Sequence, residues 1–170
     1  MNNHDIRDSA IACLQHTDHA VALQIQKVFF RAYKVEAKLI GVTHFPPLER
    51  KVVDIIASDT IFYGYQFDDK LLAVIEVNYQ PPQLDINSLV VHPDYFRQGL
   101  AGELLGFVLN YYHWETAVVE TALANFPAIA LYEQHGFTET RHFQIPMGIT
   151  KVSLKLEGGF SKHCFTDSSQ

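Results

Sequence analysis

The chain has 170 residues, 48% of them hydrophobic and 12% aromatic, and carries a formal net charge of -6. That size and apolar share suit one globular domain with a sizeable core and exclude two comfortable ones. The negative balance argues against a nucleic-acid binder working by phosphate neutralisation, and no apolar run approaches the roughly 18 residues of a membrane span.

The N-terminus, "MNNHDIRDSA", lacks the basic region and apolar core of a signal peptide. Two cysteines, Cys13 before the first helix and Cys164 in the tail, are too sparse for a disulfide framework and fit a reducing, cytoplasmic setting. Of the nine histidines, His16 and His19 share a helical face but have no carboxylate or cysteine at ligand spacing, so no metal site is expected.

Residues 17–40 read as a helix. Val21, Ile25, Val28 or Phe29, Ala32, Glu36 and Leu39 step at three or four and form a mostly apolar stripe. Thr17 or Asp18 can cap it and Gly41 ends it. The prolines of "THFPPLE" (43–49) predict a rigid loop, and a shorter helix follows within 48–58. Two β segments, "TIFYGYQF" and "LLAVIEVNY", flank the hairpin signal "DDK", and "PPQ" separates them from "LDINSLVVH". A helix over 99–114, a strand over 116–123 and a helix over 126–135 come next, then two strands. The order predicts a single mixed α/β domain over 1–157, with a largely antiparallel central sheet of about six or seven strands and helices on both faces. The tail, 158–170, reads as loosely attached.

Between the strand ending at His92 and the following helix lies "HPDYFRQGLAGELL". A helix that starts on glycine and other small residues leaves its first backbone N–H groups unobstructed at the positive end of the helix dipole. Gln98, Gly99, Leu100, Ala101 and Gly102 supply such groups, with Arg97 beside them. Such an end can cradle a pyrophosphate, or be no more than a tight turn.

The longer stretch "INSLVVHPDYFRQGLAGELL" (86–105) closely resembles the acetyl-CoA-binding motif of the GNAT superfamily of N-acetyltransferases, V-x-P-x-Y leading into R/Q-x-x-G-x-G/A. "NFPAIALYEQHGF" (125–137) resembles the same superfamily's N-x-x-A-x-x-L-Y-E-x-x-G-F block at every fixed position. The register departs once: the leading R/Q position falls on Phe96, while Arg97 takes a variable one.

The resemblance implies acetyl-CoA as co-substrate, no metal, and an amine acceptor on a small molecule or peptide. It implies that the backbone of Leu89, Val90 and Val91 pairs with the pantetheine arm, in a splayed gap beside strand 116–123. It further implies Tyr132 as proton donor to the leaving thiolate and Asn125 as both helix cap and pantetheine contact. Glu120, twelve residues before Tyr132, is spaced like the base of ribosomal-protein N-terminal acetyltransferases. Asp85 is its rival, placed as in histone-type members. The acceptor pocket is expected between "GVTHFPPLE" (41–49) and "RHFQIPMGIT" (141–150), with Phe45, Phe143 and Met147 as walls and His44 or His142 as polar contacts. A non-catalytic acyl-CoA-binding module on the same fold is the alternative, and exposed edge strands leave a homodimer open.

Overall fold

The computed structural model describes residues 10–158. Seven strands form one sheet in the order β1-β2-β3-β4-β5-β7-β6. They are β1 (Ala10–Cys13), β2 (Ile61–Phe67), β3 (Lys70–Gln80), β4 (Gln83–Val91), β5 (Thr116–Ala122), β6 (Thr138–Gln144) and β7 (Thr150–Glu157). Only β4 and β5 run parallel, because the helix between them carries the chain back across the sheet. The mixed, largely antiparallel fold expected from the sequence is the one found. Strand β1 was not foreseen: four residues are too few for an alternating pattern to stand out, and "AIAC" gains its identity only by pairing with Tyr63–Gln66.

Among the described residues four α-helices cover the two faces: α1 (His19–Ile40), α2 (Val52–Ile56), α3 (Leu100–Tyr111) and α4 (Phe126–Gln134). Asp18 caps α1 through its carboxylate, and Gly41 ends it in the left-handed conformation that glycine adopts without steric cost. The expected helix over 48–58 is shorter, since Lys51 intervenes in extended conformation before α2. The proline segment is not a plain loop either. Pro46–Glu49 winds into a 3₁₀ turn, which tolerates proline in its first positions because those N–H groups have no partner to lose. Asp68 and Asp69 both take positive φ in the β2–β3 hairpin, which suits a type I′ turn.

Two apolar cores result. One packs α3 and α4 on a sheet face through Leu104, Leu105, Ile129, Ile75, Ile86 and Val119. The other packs α1 and α2 on the opposite face through Ile25, Phe29, Ile55, Phe62, Val74 and Val90. Ile86 and Val90 belong to one strand and are four residues apart, yet they serve different cores. The cause is a β-bulge. Val77 pairs with Ile86 and Glu76 with Ser88, so Asn87 is one residue too many and reverses every side chain beyond it.

The tail keeps one contact within the described residues: the Gly158 N–H donates to the Glu115 carbonyl at 2.6 Å. The rest of that segment, Cys164 included, lies outside them, as does the N-terminal stretch through Ser9. Among the described residues no helix is long and apolar enough to cross a membrane.

Candidate active site

Strand β4 pairs with β5 only over Gln83–Ile86, against Thr116–Val119. At the Asn87 bulge the two strands part, and β5 continues alongside β7 while β4 continues alongside β3. The backbone edge of β4 from Asn87 to Val91, which includes Leu89 and Val90, faces the gap with no neighbouring strand. A cleft of about 270 Å³ opens at this point.

Side chains reach the cleft from both sheet faces. Tyr132 enters from α4 with 4% of its surface exposed, and burial raises its phenol well above the ordinary value, helped by the negative charge of Glu36 and by Tyr33. Tyr33 and Glu36 enter from α1 on the other side. Burial likewise raises the Glu36 carboxyl, while a hydrogen bond from the Asn125 amide and the Lys151 ammonium draw it back. Asn125 is the N-cap of α4. Its Oδ1 caps α4 by accepting from the Ala128 N–H at 3.4 Å, and its amide also donates to Thr121 Oγ1 at 3.3 Å.

The two carboxylates singled out from sequence are placed differently. Glu120 lines the cleft from β5, but its Oε1 lies 3.3 Å from an Arg141 nitrogen at the rim. Asp85 lines a neighbouring hollow with Asn87, Val118 and Lys151, and accepts from Gln83 Nε2 at 2.6 Å; it does not reach the cleft that holds Tyr132. Glu36 was read as a member of the α1 apolar stripe. A lone carboxylate on a core-facing stripe was the available signal, since burying one without purpose is costly.

The acceptor side also differs from expectation in its details. Phe45 forms a wall and packs edge-on against Tyr33 at 5.8 Å. Ile145 and Ile149, not Phe143 and Met147, complete the wall from the β6–β7 hairpin. Phe143 instead lies under the Arg141 guanidinium at 4.8 Å, and Met147 is exposed. His44 pairs with Glu49 at 3.2 Å and His142 with Glu139 at 2.9 Å, so both turn away from the cleft. His16 bonds the Ser58 carbonyl, and no group of three or more potential metal ligands exists among the described residues.

Beneath the bulge lies a polar network the sequence did not reveal. The Arg50 guanidinium makes two hydrogen bonds to Glu76, at 2.7 and 2.9 Å, and Glu76 also accepts from Thr60 at 2.7 Å and Ser88 at 2.9 Å. Burial pushes the Glu76 carboxyl up, but these four donors outweigh it and hold it below the usual carboxylate value. Ser88 bonds Tyr33 as well, so the network ties α1, the 46–52 connection and the bulged strand together.

At the far end of β4 the chain enters α3 through Phe96, Arg97 and Gln98. Arg97 and Gly99 both take positive φ, 61° and 81°, and this folds successive N–H groups into a concavity. Gly99 is the N-cap of α3 and offers no side-chain acceptor to the first turn. The N-termini of α1 and α4 are capped by Asp18 and Asn125, whereas no side chain caps that of α3. Phe96 and Arg97 are both exposed beside it. An uncapped helix start thus follows the unpaired edge of β4 along the chain, and the Tyr132 phenol lines the cleft beside that edge.

This arrangement is an acyl-CoA N-acyltransferase fold. Residues 20–137 match the family model described as "Acetyltransferase (GNAT) family", and the chain belongs to that family. It is 39% identical over 140 residues to the UPF0157 protein YqkA of Bacillus subtilis (strain 168), an alignment covering 82% of this chain. The chain spans only 41% of the length of that curated relative. Among solved structures, the ribosomal-protein-S18-alanine N-acetyltransferase of Escherichia coli superposes with a TM-score of 0.65 at 19% identity, covering 90% of this chain and 97% of the other. The PaiA N-acetyltransferase of Thermoplasma acidophilum, solved in complex with coenzyme A, gives 0.67 at 14% identity over 88% and 99%. At those identities the likeness is one of fold.

Proposed function

We propose that the chain is an N-acetyltransferase that moves an acetyl group from acetyl-CoA to a primary amine by direct attack in a ternary complex. The observation carrying this reading is the continuity from the uncapped end of α3, along the unpaired edge of β4, to Tyr132. The first N–H groups of α3 suit a pyrophosphate, because they have no acceptor within their own chain. The free edge of β4 suits the amide-bearing arm that follows it, in the manner of an added strand. When bound, acetyl-CoA supplies an activated acyl carbon and a thiolate leaving group.

The residues of the chain divide the proton work. Glu36 takes a proton from the incoming ammonium, a task favoured by a carboxyl raised towards the working pH. Glu120 is engaged by Arg141 at the rim, and Asp85 lies aside in the neighbouring hollow. Backbone N–H groups of β4 near Leu89 face the developing oxyanion as the carbon–nitrogen bond forms. Tyr132 gives its proton to the departing sulfur as the carbon–sulfur bond breaks, and the second proton shed by the amine nitrogen offsets that loss. A cytoplasmic site of action fits the co-substrate.

Calorimetry with acetyl-CoA, joined to thiol release on addition of an amine and amino-acid panel, tests the proposal. Binding with acceptor-dependent thiol release supports it. Binding without release for any acceptor would assign a coenzyme-binding module instead, and absence of binding would remove the proposal altogether.

A further inference from the structure

The acceptor end of the cleft has an unusual charge arrangement. Lys151 sits on β7 with its backbone fixed from both sides, opposite Ala122 of β5 and Phe143 of β6. It is half-buried and lines the cleft. Other cations on β6 and β7 have partners: Arg141 pairs with Glu120 at 3.3 Å, and Lys155 with Glu157 at 2.6 Å. Lys151 has no carboxylate within ion-pair distance among the described residues. Glu36 faces it from α1 across the opening, near enough for the two charges to act on each other but not in contact. The same cleft has apolar wall residues, among them Phe45, Pro46, Ile145 and Ile149, and polar ones, among them Glu120, Thr121 and Asn125.

A half-buried cation and a half-buried carboxylate lining one small cleft define a polar axis beside an apolar wall. A ligand that aligns with the axis carries an amine and an anion, with an apolar group at its side to lie on that wall. A polyamine or another polycation would place a second ammonium against Lys151, and this repulsion acts as selection against it. We infer that the acceptor is a free amino acid, its amine directed to Glu36 and its carboxylate held by Lys151, with an apolar side chain against the Phe45–Ile149 wall. The inference rests on the transferase reading for its chemistry, but the binding it asserts stands separately.

The experiment titrates free L-amino acids into the protein with and without coenzyme A. The best binder is then compared with its carboxamide, its decarboxylated amine and spermidine. The amino acid is expected to bind at least about tenfold more tightly than its amide, the size of one charge-assisted contact in a semi-enclosed site. Lys151→Gln is expected to erase that preference while leaving acetyl-CoA affinity unchanged, and Lys151→Arg to restore most of it. Thermal melting of each variant checks that β7 still folds. Equal binding of amide and acid, preference for spermidine, no amino-acid binding, or a preference untouched by Lys151→Gln would each overturn the inference. If plain amines are acetylated but the preference is absent, the inference falls and the transferase reading stands. If amino acids bind through Lys151 but acetyl-CoA does not, the reverse holds.

Discussion

Tyr132 and Glu36 illustrate how position sets the chemistry of a side chain. Tyr132 is buried and Glu36 half-buried beside the same cleft, and both are held more firmly protonated than in water. In the proposed reaction this is a handicap, because a thiolate is a weaker base than a phenolate, and the transfer runs uphill unless the second proton of the amine nitrogen replaces the one given. Tyr132→Phe is expected to lower kcat by about a hundredfold with little change in KM for acetyl-CoA, as measured by steady-state thiol release. For Glu36 the sign can be worked through. Its folded-state value lies above its unfolded one, so ionising it costs stability as pH rises through that interval. Glu36→Gln is therefore expected to melt at a higher temperature than the parent at neutral pH while turning over far more slowly. The same substitution should abolish the acid limb of the kcat/KM profile, and Glu120→Gln should leave that limb in place. A limb lost with Glu120 and kept without Glu36 would exchange their roles.

At the scale of elements, the bulged strand and its anchor matter most. Glu76 is 4% exposed at its side chain and receives two bonds from Arg50, which is itself three-quarters covered. Removing the carboxylate leaves that guanidinium stranded, so Glu76→Ala is expected to lower unfolding free energy by about 3 kcal/mol in urea titration. Because Glu76 sits below its unfolded value, its contribution is present at neutral pH and is lost as pH falls through the folded-state value. The parent should thus lose stability in acid more steeply than Glu76→Gln.

The same elements show what could be read from sequence. Helix α1 was visible because 22 residues repeat a pattern against one face, and the α3 entry because glycine and small residues cluster where backbone must be bare. Asn125 and Tyr132 could be placed on α4 because a proline and a capping residue mark its start. The bulge was hidden, although "NS" inside an apolar strand was its trace, since an extra residue shows only against its partner strand. The meeting of Glu36 with Ile149 and Lys151 was hidden for the same reason: Glu36 lies 113 or more positions from the other two, and only the fold brings them to one cleft.

Taken whole, the molecule is two half-sheets, β1–β4 and β5–β7, fastened along four residue pairs and open beyond them. The cores on either face stabilise each half, but little holds the lips of the opening against each other. Hydrogen exchange is expected to slow at Asn87–Val91 and Thr121–Leu123 when acetyl-CoA is added, with the closed end at Gln83–Ile86 nearly unchanged. Equal slowing throughout would show that the ligand acts on global stability alone.

The parting of β4 from β5 carries a consequence of its own. A sheet that stays zipped has one interior; this one has a notch into which a flexible chain can thread from one side while a second molecule approaches from the other. On the proposed transferase reading, donor and acceptor then need not compete for an entrance. Rates measured against both concentrations together should give intersecting, not parallel, reciprocal lines.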